Sequence, residues 1–182
     1  QYTITSGGVW AYTLTDSNSA VQALALAATM TDTFAVTSSD GTSQTITITI
    51  TGVNDAATIA GTTTGGATED TSDAAGTATV TDTDTDQSTF TAVSTETASV
   101  SGYGTYTITS GGVWAYTLTD SNSAVQALAL SATMSDTFAV TSSDGGTSQT
   151  ITITNTGCTD AATIGGATNG GFLSYTSAPA HT

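Results

Sequence analysis

The chain repeats itself almost letter for letter. Residues 1–40 and 105–144 differ at only 3 positions, Gln1/Thr105, Ala27/Ser131 and Thr31/Ser135. After one Gly inserted at 145–146 the match resumes one residue later and runs to Ala60-Gly61 against Gly165-Gly166. The offset of 104 residues is the size of an independent domain and too long for a solenoid repeat. Its phase matters as much as its length. Residues 61–104 have no earlier counterpart, yet they lead into 105–165 as one unit. The sequence therefore reads as three pieces: 1–60, the C-terminal part of a repeat and incomplete; 61–165, a complete repeat; and 166–182, a linker and tail.

Charge narrows the function classes. The 182 residues hold no Lys or Arg, 15 Asp plus Glu, and one His, a formal net charge of −15. Phosphate-backbone binding works by basic side chains displacing counterions, so nucleic acid is excluded as a direct partner. Polybasic attraction to anionic lipid is excluded on the same ground. No stretch approaches the ~20 apolar residues of a membrane span, so no membrane insertion is expected. The start, Gln1-Tyr2-Thr3-Ile4, has no charged and then apolar leader, which places any secretion signal outside this sequence.

The local pattern is that of strands. Thr fills about a quarter of the chain, and its β-branched side chain favours extended backbone. Tyr2-Thr3-Ile4-Thr5, the turn Ser6-Gly7-Gly8 and Val9-Trp10-Ala11-Tyr12-Thr13-Leu14 form one hairpin, with Trp10, Tyr12 and Leu14 on one face. Phe34-Ala35-Val36, the turn Ser39-Asp40-Gly41 and Thr45-Ile46-Thr47-Ile48-Thr49-Ile50 form a second, isoleucines inward and threonines outward. The exception is the stretch from Asn18 to Leu26, where Ser or Asn is placed to N-cap a short helical turn near 20–24 and its copy near 124–128. Short strands between Gly, Asp and Asn turns predict an all-β fold, tandem Greek-key β-sandwiches.

The acids are unevenly spread. Glu69, Asp70, Asp73, Asp82, Asp84 and Asp86 crowd together, with Asp55 just before them. On extended chain Asp82, Asp84 and Asp86 share a face. No Lys or Arg exists to pair them, so solvent, salt or a metal must offset their repulsion. Hard carboxylate oxygens suit Ca²⁺, although not as an EF-hand, because Gln87 stands where Gly is needed and Val93 where Glu is needed. The alternative is a solvated acidic loop that keeps the protein soluble.

The run Tyr106-Thr107-Ile108-Thr109-Ser110-Gly111-Gly112-Val113-Trp114-Ala115-Tyr116-Thr117-Leu118, followed by Asn122, Ala124-Val125-Gln126-Ala127-Leu128, Asp136-Thr137-Phe138 and Thr150-Ile151-Thr152-Ile153, resembles the VCBS repeat of large bacterial adhesins. The junctions Gly52-Val53-Asn54-Asp55-Ala56 and Thr68-Glu69-Asp70-Thr71 resemble that family's too. The resemblance covers nearly the whole chain except 172–182. It implies immunoglobulin- or cadherin-like sandwiches strung in tandem on long secreted proteins of the bacterial cell surface and often stiffened by calcium. On that pattern Asn54-Asp55 is the linker, Glu69 the entry acid and Asp82/Asp84 the paired-Asp loop, with Asp70 and Asp86 the neighbouring acids of the same candidate metal site. The second junction, Gly157-Cys158-Thr159-Asp160, has Thr159 where the first has Asn54.

Catalysis finds no footing. The single His is penultimate, the Gly pairs lack a phosphate-loop Lys, and the carboxylates sit on linkers and loops. One Cys, Cys158, excludes an internal disulfide. The expected protein is a non-enzymatic structural repeat of an extracellular adhesin or self-assembling surface fibre. Its partners are neighbouring repeats or other copies of itself, head to tail. The alternative is a module binding surface glycan or another cell, which an exposed aromatic pair would favour. The incomplete 1–60 is expected to leave Ile46, Ile48, Ile50 and Trp10 at an open core edge, for which Phe172-Leu173-Ser174-Tyr175 is a candidate donor strand.

Overall fold

A computed structural model of the chain describes residues 1–161; the candidate donor strand at 172–175 and His181 lie outside the described residues. Among the described residues there are twelve strands and two four-residue helical turns. The first unit holds β1 (Tyr2–Ile4), β2 (Trp10–Tyr12), α1 (Ser19–Gln22), β3 (Thr29–Thr37) and β4 (Ser43–Thr51). The second holds β5 (Thr58–Gly61), β6 (Thr64–Thr68), β7 (Ala74–Thr81), β8 (Val93–Ala98), β9 (Gly104–Ile108), β10 (Val113–Leu118), α2 (Ser123–Gln126), β11 (Thr133–Thr141) and β12 (Ser148–Thr156).

The second unit is a two-layer sandwich. One sheet runs β5-β7-β10-β9-β8, and the other β11-β12-β6. All its pairs are antiparallel except β12 with β6, which lie parallel with Thr152 opposite Thr64 and Thr156 opposite Thr68. That parallel pair ties the opening of the unit to its last strand, so the fold closes only when both ends of 58–156 are present. Period-two patterning builds the core: Trp114, Tyr116 and Leu118 of β10 face inward onto Phe138, Val140, Ile151 and Ile153 of the other sheet. Their Thr and Ala neighbours face out. The ring of Phe138 stacks on Tyr106 and meets Trp114 edge-on, as aromatic quadrupoles prefer.

Residues 61–66 look like linker in the sequence because they are Thr and Gly. Most of them are strand. Gly65 and Gly76 lie under the Trp114 ring: a Cβ at Gly76 would fall 2.5 Å from Cζ2 and one at Gly65 2.8 Å from Cη2. Glycine weakens a strand by about 0.5–1 kcal/mol relative to Ala. Burial of an aromatic side chain, worth about 1.5–3 kcal/mol, outweighs that where the ring needs the space.

The helical turns are as short as the sequence implies. Asn18 and Asn122 cap them, each side-chain oxygen accepting the N–H two residues on, from Ala20 at 2.9 Å and Ala124 at 2.8 Å.

The first unit repeats the two hairpins and nothing that covers them. β1 pairs only β2, and β3 only β4, among the described residues. Its β3–β4 register, Phe34 opposite Ile46 and Asp32 opposite Ile48, copies β11–β12. Tyr2 stacks on Phe34, and Trp10 meets it edge-on, as in the second unit. Yet Trp10 is 43% exposed where Trp114 is 0%, and Ile4 is 45% exposed where Ile108 is 2%. The expected open edge therefore falls mainly on β1 and β2. Ile50, expected there, is buried, and Ile46 and Ile48 are half-buried.

Candidate functional site

The acids gather at the two ends of the second sandwich. β7 has 8 residues and is about 25 Å long, with Asp73 before its first residue and Asp82 after its last. Residues that are near neighbours in sequence thus lie at opposite poles.

At the pole facing the first unit are Asn54, Asp55, Asp82, Asp84 and Asp144. The 82–86 segment is not extended, so its three aspartates do not share a face as the alternation implied. Asp84 N–H turns back to donate to Asp82 Oδ1 at 2.9 Å, and Asp86 sits at φ +64°. The turn buries Asp84 (2% exposed), half-buries Asp82 and leaves Asp86 exposed. Asp84 Oδ2 accepts the Asp55 N–H at 2.9 Å, which fixes the linker on the loop. The second oxygens, Asp82 Oδ2 and Asp84 Oδ1, are buried with no hydrogen-bond partner. Thr85 reaches into the first unit, donating through N–H at 3.1 Å and Oγ1 at 2.9 Å to the Ala23 carbonyl that ends α1.

Asp144 was not among the residues singled out from the sequence. It stands in the β11–β12 turn and accepts from Asn54 Nδ2 at 3.0 Å and from Ser142 Oγ. These donors, with Ser142 first, hold its carboxyl below the ordinary range. The signal was the inserted glycine: a Cβ at Gly146 would fall 3.3 Å from Asn54 Nδ2 and close against Asp144 Oδ2. The shorter turn at 38–42 of the first unit lacks that extra residue.

At the far pole are Glu69, Asp70, Asp73, Asp120, Cys158 and Asp160. Glu69 and Asp70 therefore do not join Asp55 and the 82–86 loop, as the sequence reading had it. The parallel β6–β12 pairing carries Glu69 to the following linker instead, with Glu69 N–H donating to the Thr156 carbonyl at 3.0 Å. Glu69 is fully buried and accepts from Gln126 Nε2 at 2.8 Å and from Cys158 N–H at 3.1 Å. Among the described residues, Glu69, Cys158 and Asp160 alone bring three acid or thiol ligand atoms within 4.8 Å of one another. Burial, then the charges of Asp70 and Glu69, push the Cys158 thiol up, so it rests as the neutral thiol. Asp73 Oδ1 accepts the Leu118 N–H at 3.0 Å and Asp120 Oδ1 the Asp70 N–H at 3.2 Å, so both also tie the strand ends together.

The first unit ends without that arrangement. Gln22, which matches Gln126, donates instead to the Asp16 carbonyl at 3.0 Å. The counterpart of Glu69 would arrive on a strand equivalent to β6, and 1–53 contains none.

Two sheets packed over one aromatic core, with acidic loops at both poles and the polypeptide running from pole to pole, define a cadherin-like β-sandwich. Residues 54–157 match the model of the bacterial cadherin-like domain, and the chain belongs to that family. The match spans β5 to β12 and the Asn54-Asp55 linker. A comparison with curated proteins finds no significant match. The cadherin-like domain is a structural fold that is typically extracellular and commonly binds calcium. Among the described residues no helix is long and apolar enough to cross a membrane.

Proposed function

We propose that this chain is a spacer segment, one repeat and the C-terminal part of another, from an extracellular bacterial adhesin or surface fibre of the VCBS type, and that calcium stiffens the joint between them. The observation that carries this is Asp84, nearly fully buried, with Oδ1 unpartnered, as is the buried Oδ2 of Asp82 on the same loop. A buried acceptor without a donor costs about 1–3 kcal/mol, and more when charged. The chain has no Lys or Arg to meet that cost. A hard dication does so, and oxygen ligands are what Ca²⁺ takes. Asp82 and Asp84 would supply its carboxylate oxygens, on a loop to which the Asp55 N–H ties the linker. Because Thr85 of the same loop is bonded to Ala23, ordering the loop orders the joint.

Melting the full chain in EDTA and in millimolar calcium tests this. Binding to the folded state alone raises stability by about 2.7 kcal/mol at a hundredfold excess over Kd. A higher midpoint in calcium, lost in Asp84→Asn, supports the reading; equal midpoints would leave a solvated acidic loop.

The glycan-binding alternative calls for an exposed aromatic pair, and Tyr2 and Trp10 are exposed. Both pack on Phe34, however, and the same Trp in the second unit is core. Their exposure reflects missing cover, and the spacer reading accounts for it without a sugar.

A further inference from the structure

The open face of the first unit has an internal template for what covers it. In the second unit β10 pairs antiparallel with β7, Trp114 opposite Gly76. There β12 pairs parallel with β6, Ile153 opposite Gly65. Trp114 Nε1 donates to the Thr62 carbonyl at 2.9 Å, and Phe90 closes over the Gly112 turn. All of these partners lie within 61–104. In the first unit the outer edges of β2 and β4 are unpaired among the described residues, and Trp10 of β2 is exposed. The face thus offers backbone donors and acceptors along two edges as well as an apolar floor.

We infer that this face is a docking site for a stretch of chain with the strands and glycine pattern of residues 61–104. Such a segment adds one strand parallel to β4 and one antiparallel to β2, and seats two glycines over the Trp10 ring. A flat apolar partner satisfies neither edge. A second copy of this chain is a poor source, because each copy has one such segment, already spent on Trp114, and two faces that need it. Exchange between copies only moves the vacancy. The docked register also brings a Glu to the end of β4, where Gln22 stands as Gln126 does beside Glu69.

The docking is independent of calcium and is tested in EDTA. The two tryptophans are the only ones in the chain, and only Trp10 is open to quencher. A synthetic peptide of residues 61–104, added to the full chain, is expected to bind one per chain and reduce acrylamide quenching of Trp10 to that of Trp114. A peptide carrying Gly65→Val and Gly76→Val is expected to bind at least tenfold more weakly. Fusing 61–104 ahead of Gln1 removes any limit from peptide concentration and is expected to give the same protection. Persistent quenching of Trp10 in the fusion overturns the inference. So does equal binding of the two peptides, or a chain that by itself forms a dimer with Trp10 already protected.

Discussion

Asn155 donates through Nδ2 to the Tyr116 hydroxyl at 3.3 Å, and that hydroxyl in turn donates to Asp136 Oδ2 at 3.0 Å. The rest of the cluster is donors to Asp136: Ser99 Oγ, and the N–H groups of Ser101 at 3.0 Å, Tyr103 at 3.2 Å and Thr137 at 2.7 Å. Asp136 is 1% exposed and sits between the sheets, so the cluster fixes how they pack. The first unit keeps the pair, Tyr12 donating to Asp32 Oδ2 at 2.8 Å, but has Ile50 in place of the Asn.

Asn155→Ile should stabilise the second unit. Asn155 Oδ1 is buried with no partner. Removing an unsatisfied acceptor recovers about 1–3 kcal/mol, set against one long hydrogen bond worth about 1 kcal/mol. The expected net gain is about 1 kcal/mol, read as a higher denaturation midpoint. A lower midpoint would mean that Tyr116 needs the amide.

Acid should unfold the second unit through Asp136. Burial opposes its ionisation, and the donors from Ser99, Ser101, Thr137 and Tyr116 outweigh that and hold its carboxyl below the ordinary range. A depressed carboxyl contributes stability that is full above the unfolded pKa of about 3.9 and lost as pH falls through the folded value. Emission from the buried Trp114 should therefore report loss of structure below about pH 4. Asp136→Asn should flatten that dependence while costing about 1.5–3 kcal/mol at neutral pH.

The duplicated glycines give a matched pair. Gly8 and Gly112 lie at φ +81° and +85°, but nothing lies within 4 Å of a Cβ at Gly8. At Gly112 a Cβ would press on the Ala78 carbonyl and the Phe90 ring. Gly8→Ala should cost the left-handed backbone penalty of about 1–2 kcal/mol. Gly112→Ala should add an overpacking cost of about 1–3 kcal/mol. Melting the two variants side by side checks the difference, and equal losses would mean that the open unit is already covered.

The two poles should respond separately. Asp84→Asn is expected to remove the calcium increment at the joint and leave the far pole unchanged. Glu69→Gln breaks charge-assisted bonds from Gln126 and Cys158 and should cost about 1.5–3 kcal/mol in EDTA as well as in calcium. Double-mutant additivity within about 0.5 kcal/mol is expected of sites this far apart.

Much of this was legible in the residues. The alternation of Trp10, Tyr12 and Leu14, the Ile-Thr run of β4 and the Asn cap of α1 are local physics, and a period-two strand needs no partner to declare its inward face. What the sequence did not hold was pairing. Glu69 is 14 residues from Asp55 and 91 from Asp160 along the chain, yet it serves the pole of Asp160, because β6 lies parallel to β12. Gly65 reads as linker, and Gly76 carries no signal of its own, until the Trp114 ring lies over both. Asp144 became a partner of Asn54 only when the β11–β12 turn met the linker. The clearest case is Trp10 and Trp114, alike in every neighbour along the chain from Tyr2 to Leu26. One is surface and one is core, because burial belongs to the strands that arrive from elsewhere and not to the side chain itself.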